Sequence, residues 1–256
     1  MPNWLVLTLV TVATCGIVLL LAVLRSRRAG TEDDPSETPD VIEYMTMMIG
    51  VVYAIMLGLA IAGVWEERGA ADEWVRREAQ ALHEISARAG IYPQDVREQI
   101  RDQTEDYAVH TVEREWPHML EHGELTDRGD ELLVRLRTTV TGHEPETVAE
   151  THAYQGMLDQ LAAVDEARAA RGLSAGPTMP TVVWFGLVVC GAVAVGMVFA
   201  LQIQRSGREL VLAGLFSALI AFLLYLIWYF DEPLARGIGE PTEAFTVFFP
   251  EASPGG

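Results

Sequence analysis

The sequence predicts an all-α integral membrane protein: four transmembrane helices in two hairpins, with a water-exposed helical bundle between them. Three observations carry this. Four uncharged apolar runs of 21 to 23 residues occur as two pairs, Trp4–Leu24 with Met45–Trp65, and Met179–Leu201 with Leu210–Phe230. The stretch between the pairs is acidic, with apolar residues recurring every three or four positions. No alternating, β-like run precedes the C-terminal tail. The chain of 256 residues is half hydrophobic, yet its formal charge is −18. A membrane protein with an acidic aqueous part reconciles those two facts. The domains expected are 1–65, the first hairpin with a short acidic linker 25–44; 66–178, the acidic helical domain; 179–230, the second hairpin; and 231–256, the tail.

Each apolar run is long enough for a hydrocarbon core of about 30 Å, which needs roughly 20 residues of helix. The first reads as a permanent span, because "MPNW" lacks the positive start of a cleaved signal and the run is too long for one. The connectors within the hairpins carry Arg25, Arg27, Arg28, Arg205 and Arg208. Arg in short loops stays cytoplasmic, so residues 66–178 and both termini are expected on the outer side of the cell membrane. Trp4, Trp65, Trp184 and Trp228 lie near the opposite ends, as an interfacial belt would. Arg68, Arg76, Arg77, Arg168 and Arg171 count against that orientation.

Nothing punctuates the passage from Met45–Trp65 into "EERGAADEWVRREAQAL", so span and first domain helix are expected to form one rod of about 45 residues, roughly 65–70 Å long. Its aqueous stripe is Ala71, Trp74, Val75, Leu82, Ile85 and Ala89, ended by Gly90. Pro93 is expected at the first position of a second helix, with Val96, Ile100, Tyr107 and Thr111 on one face and Trp116-Pro117 ending it. Asp127 or Thr126 caps a third helix carrying Leu132, Leu133, Leu136 and Val140. Pro145 opens a fourth with Val148, Met157, Leu158, Leu161 and Val164, ending near Gly172. The tail's "AFTVFF" has two docking options, the helical domain or the bilayer surface.

Residues 66–178 hold 12 Arg against 24 acids, a net charge of −12. No basic stripe exists to replace phosphate counterions, so a nucleic-acid partner is not expected. Metalloprotease, nucleophile-elbow, phosphate-loop and dinucleotide motifs are absent, and no catalytic, cofactor-binding or metal-ligating residue is predicted. Glu115 and His118 have the i,i+3 spacing of di-iron bundles, but Pro117 lies between them and no second pair exists; both read as a solvated face or helix end. Cys15 and Cys190 read as small residues buried in helices.

The spans offer more. Gly50, Ala54, Gly58 and Ala62 recur every four residues, which lets helix backbones approach closely. They are candidates for packing between helices or subunits, or for lining a pore. Glu66, Glu67, Asp231 and Glu232 form an acidic group at one membrane face, read first as hydrated helix ends and second as a cation-attracting mouth. No ionisable residue lies deep in any span, which disfavours proton relays and ion-coupled transport.

"GVVYAIMLGLAIAGVWEE", "RREAQALHEI", "YAVHTVEREWPHM", "LDQLAAVDEARAAR" and "WYFDEPLARGIGEPTEAF" together resemble a bacterial bestrophin-like family, over roughly Met45–Phe249. The matches to its motifs are Trp65, Trp116, Pro117, Asp231, Pro233, Pro241 and Phe245; Glu232 and Leu234 stand where the family has Arg and Phe. The resemblance implies two spans, a helical region and two more spans. Through bestrophins, which are pentameric, calcium-gated anion channels, it implies a homo-oligomer in the lipid bilayer. It also implies a cytoplasmic helical region, opposite to the Arg count. "DEPLARGIGEPTE" is too sparse for their calcium clasp. The expected function is thus a homo-oligomeric passive ion channel or channel-like assembly. The alternative is a non-conducting, membrane-anchored sensor whose residues 66–178 bind a protein partner.

Overall fold

A computed structural model describes residues 40–201, 207–234 and 242–252. The expected span Trp4–Leu24, Cys15, the linker arginines, Arg205 and Pro241 lie outside those residues. Among the described residues all regular structure is helical. The chain divides into two compact units: one takes the chain up to Trp65 and Met179–Asp231, the other Glu66–Thr178 and the chain from Glu232 onward.

The apolar unit contains the first part of helix α1 (Asp40–Arg88), together with α6 (Thr181–Leu201) and α7 (Gly207–Phe230). All three are long and apolar enough to cross a membrane. As expected, α1 runs through Trp65 unbroken, because Glu, Arg and Ala after the tryptophan are strong helix formers and no Pro intervenes. Tyr53, Leu57 and Val64 share one face of α1 and bury with Leu187 and Ala194 of α6 and Ile220, Ile227 and Phe230 of α7. Lipid tails are as apolar as leucine, so such contacts hold by close packing rather than by escape from water. Gly191 permits the closest approach: a Cβ there would fall 2.5 Å from the Tyr53 hydroxyl.

The acidic unit starts with the second part of α1, whose Ala71, Val75, Leu82, Ile85 and Ala89 are buried. Trp74, expected on this stripe, is only half-buried and stacks under Arg77, 4.9 Å from the ring centre. A single 3-10 turn, Ala89–Ile91, follows. Helix α2 is Gln94–His110, so Pro93 is its N-cap rather than its first residue. Its extended ψ of 153° turns the chain in, and its carbonyl accepts from Arg97 N at 2.9 Å.

Trp116-Pro117 does not end this helix. The chain widens into a π-helical turn, Thr111–Glu115, and continues as α3 (Trp116–His122) with Pro117 in its first turn. The π turn bonds one residue further back, Trp116 N to the Thr111 carbonyl, and so widens the helix where the Pro117 ring has to fit. The stop comes at Gly123, whose φ of 72° is left-handed and whose N–H returns to the Met119 carbonyl.

Thr126 caps α4 (Asp127–Gly142), which buries Leu132, Leu133, Leu136 and Val140 as expected. Pro145 does not open the next helix. Helix α5 begins at Val148, and its cap is Thr147, in a reciprocal box with Glu150. The Glu150 carboxylate also accepts from Glu146 N at 2.7 Å, so the proline sits in a loop that the cap already determines. Val148, at the cap, is exposed. Helix α5 ends at Leu173.

The tail supplies α8 (Glu243–Phe248) and a 3-10 turn, Pro250–Ala252. Phe245, Phe249 and Ala252, with Leu234, belong to the core of the acidic unit, which decides between the two docking options. Phe248 stacks on His83 of α1 at 4.8 Å.

Candidate functional site

In the apolar unit, the face of α1 that carries the small residues is separate from the face that packs. Tyr53 and Leu57 point inward, whereas Ala54, Gly58 and Ala62 are exposed and Gly50 is half-buried. A Cβ added at Gly50 or Gly58 would meet nothing within 4 Å. The edge is flanked by exposed Val51, Ile55 and Leu59. The Tyr53 hydroxyl is buried without a hydrogen-bond partner. Ser217 is also buried and donates back to the Ala213 carbonyl at 2.8 Å.

Of the four acidic residues grouped by sequence, Asp231 belongs to the apolar unit and the other three to the acidic unit. Asp231 is buried at the end of α7. Its Oδ1 accepts from Met179 N at 2.7 Å and its Oδ2 from Trp184 Nε1 at 2.9 Å. One carboxylate thus ties the end of α7 to the start of α6 and supplies the acceptor for a half-buried indole. Trp65 is exposed and meets Phe230 edge-on at 5.1 Å. Glu66 and Glu67 are exposed, and Glu232 is half-buried.

The acidic unit holds a charge lattice that the periodicity argument missed. Glu78 on α1 lies in the buried stripe between Val75 and Leu82. Arg168 and Arg171 continue the α5 stripe Ala153, Met157, Leu161, Val164 at the same spacing. Glu115 closes the π turn. Far from lying on a solvated face, its side chain is fully buried, as are those of Glu78 and Arg171.

Arg171 donates Nε to Glu78 Oε2 at 2.6 Å, and Nη2 to Glu78 Oε1 at 3.0 Å and to Glu115 Oε1 at 2.6 Å. Arg168 donates Nη2 to Glu115 Oε2 at 2.7 Å and to the Thr126 carbonyl at 2.8 Å, and Nη1 to the exposed Asp130 at 2.7 Å. Tyr107 donates to Glu78 Oε1 at 2.6 Å. Trp116 lies over the Arg171 guanidinium, 5.7 Å from the ring centre.

The cap of α4 is part of this lattice. Thr126 donates both its N–H and its hydroxyl to Glu115 Oε2, at 3.1 and 2.7 Å. With its only proton spent there, the hydroxyl accepts from Gly129 N and from His110 Nε2, 2.9 Å away. That assigns the proton of His110 to Nε2. Gly129 is required by proximity, since a Cβ there would collide with Arg168 Nη2 and Glu115 Oε2.

Electrostatics follow from this arrangement. Burial alone would raise the Glu115 carboxyl, but Arg171, the Thr126 hydroxyl and Arg168 together hold it below the ordinary range. Burial would lower Arg171, and attraction to Glu78 more than reverses that. Burial, then Glu78, pushes the Tyr107 phenol well up, so it stays a donor. Burial lowers His110, which stays neutral near pH 7. The lattice clamps α1, α2, the π turn, α4 and α5 and surrounds Glu115 with cations and donors, and Arg168 Nε is left buried without a hydrogen-bond partner. Among the described residues no three His, Cys, Asp or Glu side chains converge as a metal site.

The bestrophin-like domain model matches residues 4–239, nearly the whole chain. The chain belongs to the bestrophin-like family. Two crystal structures share its fold, both of single-residue variants of a bacterial bestrophin homologue from Klebsiella pneumoniae. One has a TM-score of 0.69 at 11% identity, covering 98% of this chain and 99% of that one. The other has a TM-score of 0.65 at 12% identity, covering 95% of each chain. No curated protein matches. Of the residues that carried the bestrophin-like resemblance, Trp116, Asp231, Pro233 and Phe245 are buried, while Trp65 and Pro117 are exposed.

Proposed function

We propose that the protein is a homo-oligomeric, passive ion-conducting assembly of the lipid bilayer. The observation that carries this reading is the family match across residues 4–239, joined to a shared fold along nearly all of both chains; bestrophin homologues are oligomeric channels. The exposed edge Gly50, Ala54, Gly58 and Ala62 supports it. In this reading the edge meets a neighbouring subunit or lines the wall of a pore kept wide by small side chains. Residues 45–65, 181–201 and 211–230 contain no ionisable side chain other than Cys190 and tyrosines. That suits a hydrophobic or backbone-lined path better than an ion-coupled carrier. Glu66 and Glu67 are hydrated helix residues in this reading, and Asp231 positions α6 and α7. The protein crosses the cell membrane several times, with residues 66–178 and the termini outside, as the connector arginines favour.

The test is current through planar bilayers containing the purified full chain. Discrete, passive currents that reverse at the Nernst potential of one ion are expected. Intact oligomers that stay silent across several salts and voltages would contradict the proposal. They would favour the alternative, a non-conducting module acting through residues 66–178 on a protein partner.

A further inference from the structure

His110, the last residue of α2, is the histidine that reaches the charge lattice, and its ring is half-buried. Its Nε2 donates to the Thr126 hydroxyl at 2.9 Å, and that hydroxyl donates its own proton to Glu115 Oε2 at 2.7 Å. Glu115 Oε2 also accepts from Arg168 at 2.7 Å. A chain of hydrogen bonds therefore runs from an imidazole that water can reach to a fully buried carboxylate. Thr126 is at the same time the cap of α4, and its hydroxyl accepts from Gly129 N. One oxygen thus serves the imidazole, the carboxylate and the first turn of a helix.

We infer that His110 is an acid-sensitive latch on α4: when its ring takes a second proton it swings into water, and the Thr126 cap loosens. The charges around the ring set this direction. Arg114 of the π turn, Arg128 of α4 and Arg168 of α5 all act on it, and the Glu115 carboxylate that opposes them is already shared between Arg168 and Arg171. Asp106 and Glu113, one turn away along the chain, are exposed, as are Glu124 in the loop before the cap and Asp127, Asp130 and Glu131 on α4. A protonated ring would be a fourth cation beside three fixed ones in a partly desolvated place. Burial, helped by the arginines and opposed by Glu115, holds the imidazole below its ordinary 6.5. The neutral ring is therefore the one that fits. Once charged, it gains hydration by leaving, which removes one of the two donors on the Thr126 oxygen and lets water approach Glu115. The contribution of His110 is intact above about pH 6.5 and is lost as pH falls below that value, because the released ring binds the proton first. The inference rests on this helix junction and not on the channel reading.

The test is hydrogen–deuterium exchange of the full chain in nanodiscs, read by mass spectrometry at about pH 7.5 and about pH 5.5 and corrected for the intrinsic pH dependence of exchange. Corrected exchange in the first turn of α4 should rise at least about threefold at the lower pH. His110→Gln keeps an N–H donor for Thr126 but takes up no proton, and it should abolish the rise. His110→Asn, equally neutral, should do the same. His152→Gln, at an exposed position on α5, should leave the rise in place. The inference is overturned if the wild type exchanges this turn equally at both pH values, if the neutral variants at 110 keep the rise, or if His152→Gln removes it.

Discussion

Replacing Arg171 by methionine removes the cation that Glu78 and Glu115 share and leaves two buried carboxylates facing each other. The side chains of all three residues are fully buried, so water cannot screen the loss. Breaking a buried pair from one side typically costs about 3–5 kcal/mol. At roughly 2–4 °C per kcal/mol for a unit of this size, the acidic unit should melt about 6–20 °C lower. The pH dependence is more diagnostic than the size. In the wild type the folded Glu115 titrates below its ordinary value of 4.5. Its contribution is therefore present above that pH and lost as pH falls through the folded value. Without Arg171, only the Thr126 hydroxyl and Arg168 still offset burial, and the folded value rises. The Arg171→Met protein should then lose less stability than its parent on acidification below about pH 4.5. Adding Glu78→Gln should recover part of the loss, because Glu115 keeps Arg168 as its partner while Glu78 no longer carries an unpaired buried charge. Thermal melts of the full chain in detergent, followed by near-ultraviolet dichroism, to which Trp116 contributes, read all three effects. A melting point within about 2 °C of wild type, or an unchanged pH slope, would refute the reasoning.

Three further outcomes are expected. Gly129→Ala should destabilise by about 1–3 kcal/mol through overpacking against Arg168 and Glu115; a rise in melting temperature, which helix propensity alone would give, would count against the packing described. Asp231→Ala should strand the Trp184 indole and the Met179 N–H at about 1–3 kcal/mol, seen as a lower melt and a shifted tryptophan emission, with Asp231→Asn milder because it keeps an acceptor. Phe245→Ala should cost about 3–5 kcal/mol and speed proteolysis of the tail; unchanged proteolysis would show that the tail does not depend on that ring.

The helical character was legible because apolar spacing survives averaging: Leu132, Leu133, Leu136 and Val140 are buried as their periodicity says. The lattice was missed because charge was equated with exposure. Its signal was present, in that Arg168 and Arg171 fall where the stripe through Met157, Leu161 and Val164 demands the next two buried residues. Glu78 does the same on α1. Partners 93 and 56 residues apart cannot be paired from local pattern, however. The prolines misled for a related reason. Pro93, Pro117 and Pro145 were read by the residue's preference for helix starts and ends, whereas capping by Thr147 and the widened turn at Thr111–Glu115 set the actual boundaries. Phe245 looked like a tail residue because its partners come from remote helices.

The central claim is tested most directly by the subunit count of the full chain in nanodiscs, measured by native mass spectrometry beside Gly58→Leu. The account predicts a closed ring of four or more subunits. It also predicts that Gly58→Leu, at a position with open space around it, breaks or shrinks the ring without unfolding the subunit. A wild-type monomer or simple dimer in several mild lipid compositions would contradict it, since the apolar helices of one chain are too few to enclose a pore.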